Sequence, residues 1–139
     1  MHQFFENLRI SSFNCKNVKT SVNEIQYLCD LCDVLLLQET WLYEFDLNFL
    51  NSLHKDFYAK GISSMDASKG IITGRPHGGM AVLWRKTLGN MCKIVDLDDN
   101  RLLGLEINSS NISILIVNIY MSFNSVDNQD EFHSCLASE

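Results

Sequence analysis

Residues 34–41 read Val34-Leu35-Leu36-Leu37-Gln38-Glu39-Thr40-Trp41. An unbroken apolar run closed by polar residues is the pattern of a short strand buried on both faces. Upstream, Ser21-Val22-Asn23-Glu24 has the form of a capping box. There the Ser hydroxyl and the Glu carboxylate would each satisfy a free backbone N–H at a helix start. Val22, Ile25, Leu28, Cys29 and Cys32 then recur at helical spacing and give one buried face. Further upstream, Leu8-Arg9-Ile10-Ser11-Ser12-Phe13 alternates apolar and polar residues, a strand pattern, and Asn14 follows it. Strand, helix and strand within about thirty residues make a βαβ unit. Its crossover should be right-handed and its strands parallel. Parallel strands end on one edge of the sheet, so Asn14 and Glu39 should emerge side by side. That edge, at the carboxyl ends of the strands, is where open α/β sheets place their ligands.

Downstream, residues 46–53 read as a short second helix. Residues 61–79 carry glycine and serine and read as a loop long enough to suspect function. Strands are predicted at 80–84, 91–97, 102–107 and 112–120, with turns at 86–89, 98–100 and 108–111. Residues 126–136 read as the start of a helix, with Asp127 as its cap. No internal repeat or low-complexity segment is present. The 139 residues fit one domain, and 46% apolar with 20% charged residues is ordinary for a globular protein.

The net charge of −6 weakens any reading as a passive nucleic-acid coat, which is usually basic. It leaves room for a nuclease, because a metal site needs carboxylates and basic contacts can be local. The five cysteines are odd in number and no secretory signal precedes them, so they read as reduced thiols of an intracellular, non-secreted protein. The longest apolar run is far too short to span a membrane. Cys29 and Cys32 lack the second ligand pair that a zinc ribbon needs, and core packing is the better reading.

Four segments occur in order: Ser12-Phe13-Asn14-Cys15, Leu36-Leu37-Gln38-Glu39-Thr40-Trp41, Gly78-Gly79-Met80-Ala81-Val82-Leu83-Trp84, and Val117-Asn118-Ile119-Tyr120. Together they resemble the first half of the endonuclease/exonuclease/phosphatase superfamily, the deoxyribonuclease I-like proteins. The run Gly74-Arg75-Pro76-His77-Gly78-Gly79 is similar to the endonuclease domains of non-LTR retrotransposons. The match covers roughly residues 8–123, and Gln38-Glu39-Thr40 after a Leu-rich strand is its most diagnostic piece. The resemblance implies a deoxyribonuclease I-like α/β sandwich, present as the N-terminal half to two-thirds of one truncated domain over residues 1–139. It implies Mg²⁺-dependent hydrolysis of a DNA phosphodiester, with Mn²⁺ as a substitute metal, in the nucleus if active.

On that resemblance Glu39 is the metal ligand. A hard cation such as Mg²⁺ takes oxygen ligands, often one or two carboxylates plus water and phosphate. The plainer alternative is a carboxylate that caps a following helix. Asn14 would hydrogen-bond the phosphate or orient a metal-bound water; alone it would be an ordinary turn residue. Tyr120 matches a tyrosine that contacts the scissile phosphate, or else is a strand aromatic at the core's rim. Asn118, two residues earlier on the same strand face, contacts substrate or supports the site. His77 and Arg75 would touch nucleic acid, and Arg85 with Lys86 would extend a small basic cluster toward the backbone phosphates. Ordinary solvated residues are the alternative for all four. Gly78 and Gly79 should serve backbone geometry where the next strand begins.

The chain departs from the family in three places. Lys16-Asn17-Val18 stand where a glycine is usual, and Ser122 stands where a proline usually follows the tyrosine. In the family's second half an Asp-x-Asn and a Ser-Asp-His motif follow the tyrosine; here no Asp-x-Asn follows Tyr120 and Ser-Asp-His does not occur, so no recognised residue supplies the general base. Little or no activity is therefore expected of this chain alone, and the missing C-terminal half is its expected partner, alongside DNA. At roughly 25 cal/mol per Å² of apolar surface, several hundred Å² left bare would rival the whole stability of a domain, about 5–15 kcal/mol. A marginal or aggregation-prone chain is the expectation. The rivals are a phosphomonoesterase of the same superfamily and a non-catalytic remnant that binds a partner through an exposed sheet.

Overall fold

The computed structural model describes residues 7–65 and 77–121. Strand β1 (Ile10–Asn14), helix α1 (Val22–Leu31) and strand β2 (Val34–Gln38) form the expected βαβ unit, with β1 and β2 parallel and Asn14 level with Gln38. Strands β3 (Phe57–Ile62) and β4 (Met80–Arg85) complete a four-stranded sheet of order β1-β2-β4-β3, β4 running antiparallel to both neighbours. Strands β5 (Cys92–Val95), β6 (Leu102–Asn108) and β7 (Ser113–Ile119) form a second, three-stranded antiparallel sheet.

The two faces of β2 explain its unbroken apolar run. Leu35 and Leu37 pack with Ile25 and Cys29 of α1 in one core. Val34 and Leu36 pack with Leu105, Ile107 and Ile116 of the second sheet in another. All four are buried, and each fully buried Leu or Val contributes about 1.5–3 kcal/mol. Cys29 and Cys32 are fully buried free thiols, as the packing reading requires. Among the described residues no helix is long and apolar enough to cross a membrane.

The structure corrects several local expectations. Ser21 stands before α1 but does not cap it; its hydroxyl donates to the Cys15 carbonyl at 2.8 Å. A 3-10 turn over Val18–Thr20 precedes the helix and holds Ser21 at φ −117°, ψ 20°, outside the extended conformation that a capping box uses. The second helix is a 3-10 helix, Glu44–Ser52. Leu47, Leu50 and Leu53 are spaced by three, so a helix of three residues per turn keeps them all on the core. The loop expected at 61–79 begins later, because β3 runs to Ile62. That strand was hidden by Lys60 and Gly61, yet a Cβ at Gly61 would collide with Leu50 and crowd the Met80 carbonyl. The strand expected at 91–97 is Cys92–Val95, preceded by a 3-10 turn over Lys86–Met91. The helix expected at 126–136 lies outside the described residues.

Among the described residues one flank of the sandwich is open. β1 and β7 are the outer strands of their sheets on the same side as the β2–β7 contact. Ile10 on β1 is 46% exposed, and Tyr27 and Leu31 on the adjoining side of α1 are 65% and 49% exposed. Leu115 and Ile119 of β7 are exposed as well.

Candidate functional site

The carboxyl ends of β1 and β2 meet as the sequence predicts. The Cys15 amide donates to Gln38 O at 3.0 Å, and the Asn17 amide donates to Glu39 O at 3.0 Å. On the other side, the Thr40 and Trp41 amides donate to the carbonyls of Gly79 and Gly78 at 3.2 and 3.0 Å. Glu39 is thus gripped between the turn after β1 and the residues before β4. In that grip it adopts φ 58°, and Trp41 adopts φ 60°. A side chain in the left-handed region costs about 1–2 kcal/mol, and such strain clusters where the surroundings enforce a functional conformation.

Gly78 and Gly79 stand at φ 63° and 84°, which suits glycine, and a Cβ on Gly79 would lie 2.5 Å from Thr40 Oγ1. The turn after β1 makes a similar demand without glycine. Lys16 and Asn17 take φ 44° and 86°, and Asn17 Oδ1 accepts the Lys19 amide at 3.1 Å. An Asn side chain tolerates that region better than most, so the absence of the usual glycine leaves the loop its course.

Tyr120 follows β7 in the second sheet, and its hydroxyl donates to Glu39 Oε1 at 3.1 Å. Its amide donates to Arg101 O at 3.1 Å. Arg101 itself forks onto Asp99, Nε to Oδ1 at 2.9 Å and Nη2 to Oδ2 at 2.7 Å. These bonds hold the Asp99 carboxyl well below the usual range, at about 2. A residue with no role legible in the sequence therefore anchors the loop that supports Tyr120.

Asn118 is 1% exposed. Its amide donates to Leu37 O and Ala81 O, each at 2.9 Å, and its Oδ1 accepts from Gln38 Nε2 at 2.8 Å. The amide is committed to the protein on every side, which places it under the site and not on its surface. Asn14 is exposed at the end of β1. His77 is exposed beside Gly78, its amide donating to Met65 Sδ at 3.4 Å. Arg75 lies outside the described residues.

Arg85 ends β4, a strand that runs away from the Glu39 edge, and it is an internal anchor. Its guanidinium donates to Cys29 O, Cys32 O and Asp33 Oδ1 and lies 4.8 Å over the Phe57 ring. The Lys86 ammonium sits over Tyr58. Arg85 and Lys86 thus lie away from the Glu39 edge. The sequence signal for Gln38, missed as a site residue, is an amide directly after an apolar run, where a fifth apolar residue would have packed.

A metal fits this edge in one mode only. Among the described residues no three His, Cys, Asp or Glu side chains come together as a ligand set. A cation such as Mg²⁺ that keeps water and phosphate oxygens in its shell needs just one or two carboxylates from the protein. Glu39 offers one, half-buried at a fixed edge, with the Asn14 strand end beside it.

The family model described as "Endonuclease/Exonuclease/phosphatase family" matches residues 11–131. No curated protein matches the chain. Among solved structures, the chain is similar to the AP endonuclease LMAP from Leishmania major, with TM-score 0.66 and 13% identity over 88% of this chain and 43% of that one. It is similar to the 3' phosphatase NExo from Neisseria bound to a product DNA hairpin, with TM-score 0.56 and 15% identity over 94% and 50%. It is also similar to the endonuclease domain of TRAS1, a telomere-specific non-LTR retrotransposon, with TM-score 0.54 and 12% identity over 95% and 54%. At these identities the likeness is one of fold, a deoxyribonuclease I-like sandwich. The chain spans about half the length of each structure.

Proposed function

Since the chain belongs to the endonuclease/exonuclease/phosphatase family, we propose that it is the front half of a Mg²⁺-dependent phosphodiester hydrolase of the retrotransposon type, which nicks DNA. The observation that carries the proposal is Glu39: a carboxylate at the end of a buried strand, held in a left-handed conformation and bonded to Tyr120 from the opposite sheet. Stability alone gives no reason to keep a glutamate in that conformation.

A bound Mg²⁺ would polarise the scissile phosphate and stabilise the leaving oxygen. Glu39 would hold it. The Asn14 amide would donate to a phosphate oxygen, and the Tyr120 hydroxyl, already aimed at Glu39, would orient the ligand or the phosphate. Arg75 and His77 would contact the nucleic acid. Among the described residues none is assigned as the base that would activate the attacking water. The remaining half of the domain would supply it by packing on the open flank, covering Ile10, Tyr27 and Leu31.

Three measurements test the reading. Mn²⁺ binding, followed by water proton relaxation, should be detectable for the chain and lost in Glu39→Ala; equal binding by both would overturn the assignment of Glu39. Supercoiled plasmid in Mg²⁺ should stay intact with the chain alone. Nicking by the chain but not by Glu39→Ala would show that a second half is unnecessary. Release of phosphate from 3'-phosphorylated DNA without nicking would move the substrate to monoesters.

A further inference from the structure

We propose that Gln38 and Asn118 are positioning residues, an amide pair that fixes where the Glu39 carboxylate stands against the Tyr120 hydroxyl. The inference rests on the reading of Glu39 as the reacting edge's ligand.

Glu39 and Tyr120 come from different sheets, so their 3.1 Å hydrogen bond depends on how one sheet sits over the other. Most of the contact between the sheets is apolar: Val34, Leu36, Met80 and Val82 on one side, Leu103, Leu105, Ile107 and Ile116 on the other. Apolar contact is non-directional and sets no fine register. The amide pair does. Gln38 Nε2 donates to Ser12 Oγ at 3.0 Å and to Asn118 Oδ1 at 2.8 Å. Asn118 Nδ2 donates to the carbonyls of Leu37 and Ala81. All four amide hydrogens of the pair are therefore used, and the network ties β1, β2 and β4 of one sheet to β7 of the other.

The orientation of the pair is dictated by its neighbours. Two carbonyl oxygens face Asn118 from the first sheet, so its nitrogen must point to them. Its oxygen is then left for the Gln38 amide, which must donate. A slide by one residue would leave buried groups unpaired, each at a cost of about 1–3 kcal/mol. The pair also lies at the right place in the chain. Gln38 immediately precedes Glu39, and Asn118, near the end of β7, stands two residues before Tyr120. A register lock at this point transmits directly to both functional groups; elsewhere in the interface it would act only on packing.

The test uses the full chain with Gln38→Met and Asn118→Leu, near-isosteric changes that remove the network. Two readouts are taken in each background. The first is the coupling between Glu39 and Tyr120, from urea denaturation of the Glu39→Ala, Tyr120→Phe cycle. The second is the Mn²⁺ dissociation constant. Loss of the coupling is expected, with Mn²⁺ affinity falling about tenfold or more, the range seen when a ligand loses its outer support. If stability drops while coupling and Mn²⁺ affinity stay at their unsubstituted values, the pair serves packing alone and the inference is overturned. If the unsubstituted chain binds no Mn²⁺, or Glu39→Ala binds it equally, the metal reading fails, and the coupling cycle still decides the positioning role. Should Asn118→Leu not fold, Gln38→Met, at the half-buried end of the pair, decides alone.

Discussion

The left-handed backbone at Glu39 can be isolated by comparing two substitutions. Glu39→Ala and Glu39→Gly both remove the carboxylate and its bond from Tyr120. They differ in the backbone, which stands at φ 58°. Alanine keeps a Cβ against the following carbonyl, at a cost of about 1–2 kcal/mol, and glycine removes that cost. Glycine also loses more conformational freedom on folding, by about 0.5–1 kcal/mol. The net expectation is that Glu39→Gly is more stable than Glu39→Ala by roughly 0.5–1 kcal/mol, or about 2–4 °C in Tm for a chain of this size. Urea denaturation followed by far-ultraviolet circular dichroism reads the difference, with the m-value checked for equality between the two variants. Both should fail to bind Mn²⁺. If the alanine variant proves as stable as the glycine variant, or more so, the backbone at residue 39 is not strained. Residue 39 would then give up no stability for function.

Other outcomes follow from the same contacts. Arg85→Ala should destabilise the chain by about 2–3 kcal/mol, because the carbonyls of Cys29 and Cys32 and the Asp33 carboxylate lose a charged donor; denaturation measures it, and Mn²⁺ binding should be unchanged. The Asp99 carboxyl is held at about 2, below its ordinary 3.8. Its contribution is therefore full above about pH 4 and lost as the pH falls through 2, so Asp99→Asn should flatten the drop in Tm over that acid window. Cys15 and Cys29 are pushed up to about 12 chiefly by burial. At pH 8 both should resist alkylation in the folded chain and react within minutes in urea, which peptide mass spectrometry resolves. Rapid native labelling of Cys29 would mean that α1 opens readily, and of Cys15 that the turn after β1 does.

The candidate site was partly legible from residue order because its first half is local. A βαβ unit has one hand and one parallel pairing, so placing Asn14 beside the strand end before Glu39 needed only two strands and the helix between them. Tyr120 was legible by resemblance, but its meeting with Glu39 was not, since that contact spans 81 residues and two sheets. Arg85 shows the opposite case. Beside Lys86 it reads as part of a basic cluster, and only the antiparallel course of β4 reveals that it faces the end of α1. Ser21 shows that a correct cap sequence can be outcompeted, here by a carbonyl that the preceding turn brings within 2.8 Å.

The sequence by itself determined the elements whose side-chain period is unambiguous. These are the doubly buried run of β2, the helical face of α1, and the glycines where β4 begins, each a local consequence of burial or backbone sterics. Tertiary structure alone decided what depends on two distant segments sharing space. It formed β3 around a glycine that Leu50 requires, turned Asn118 from a strand polar residue into a buried lock, and forced Glu39 into a conformation that its own side chain disfavours. The physical reason is the same throughout: period and propensity act between neighbours in the chain, whereas hydrogen bonds between buried groups answer to whichever partner the packed sheets bring within 3 Å.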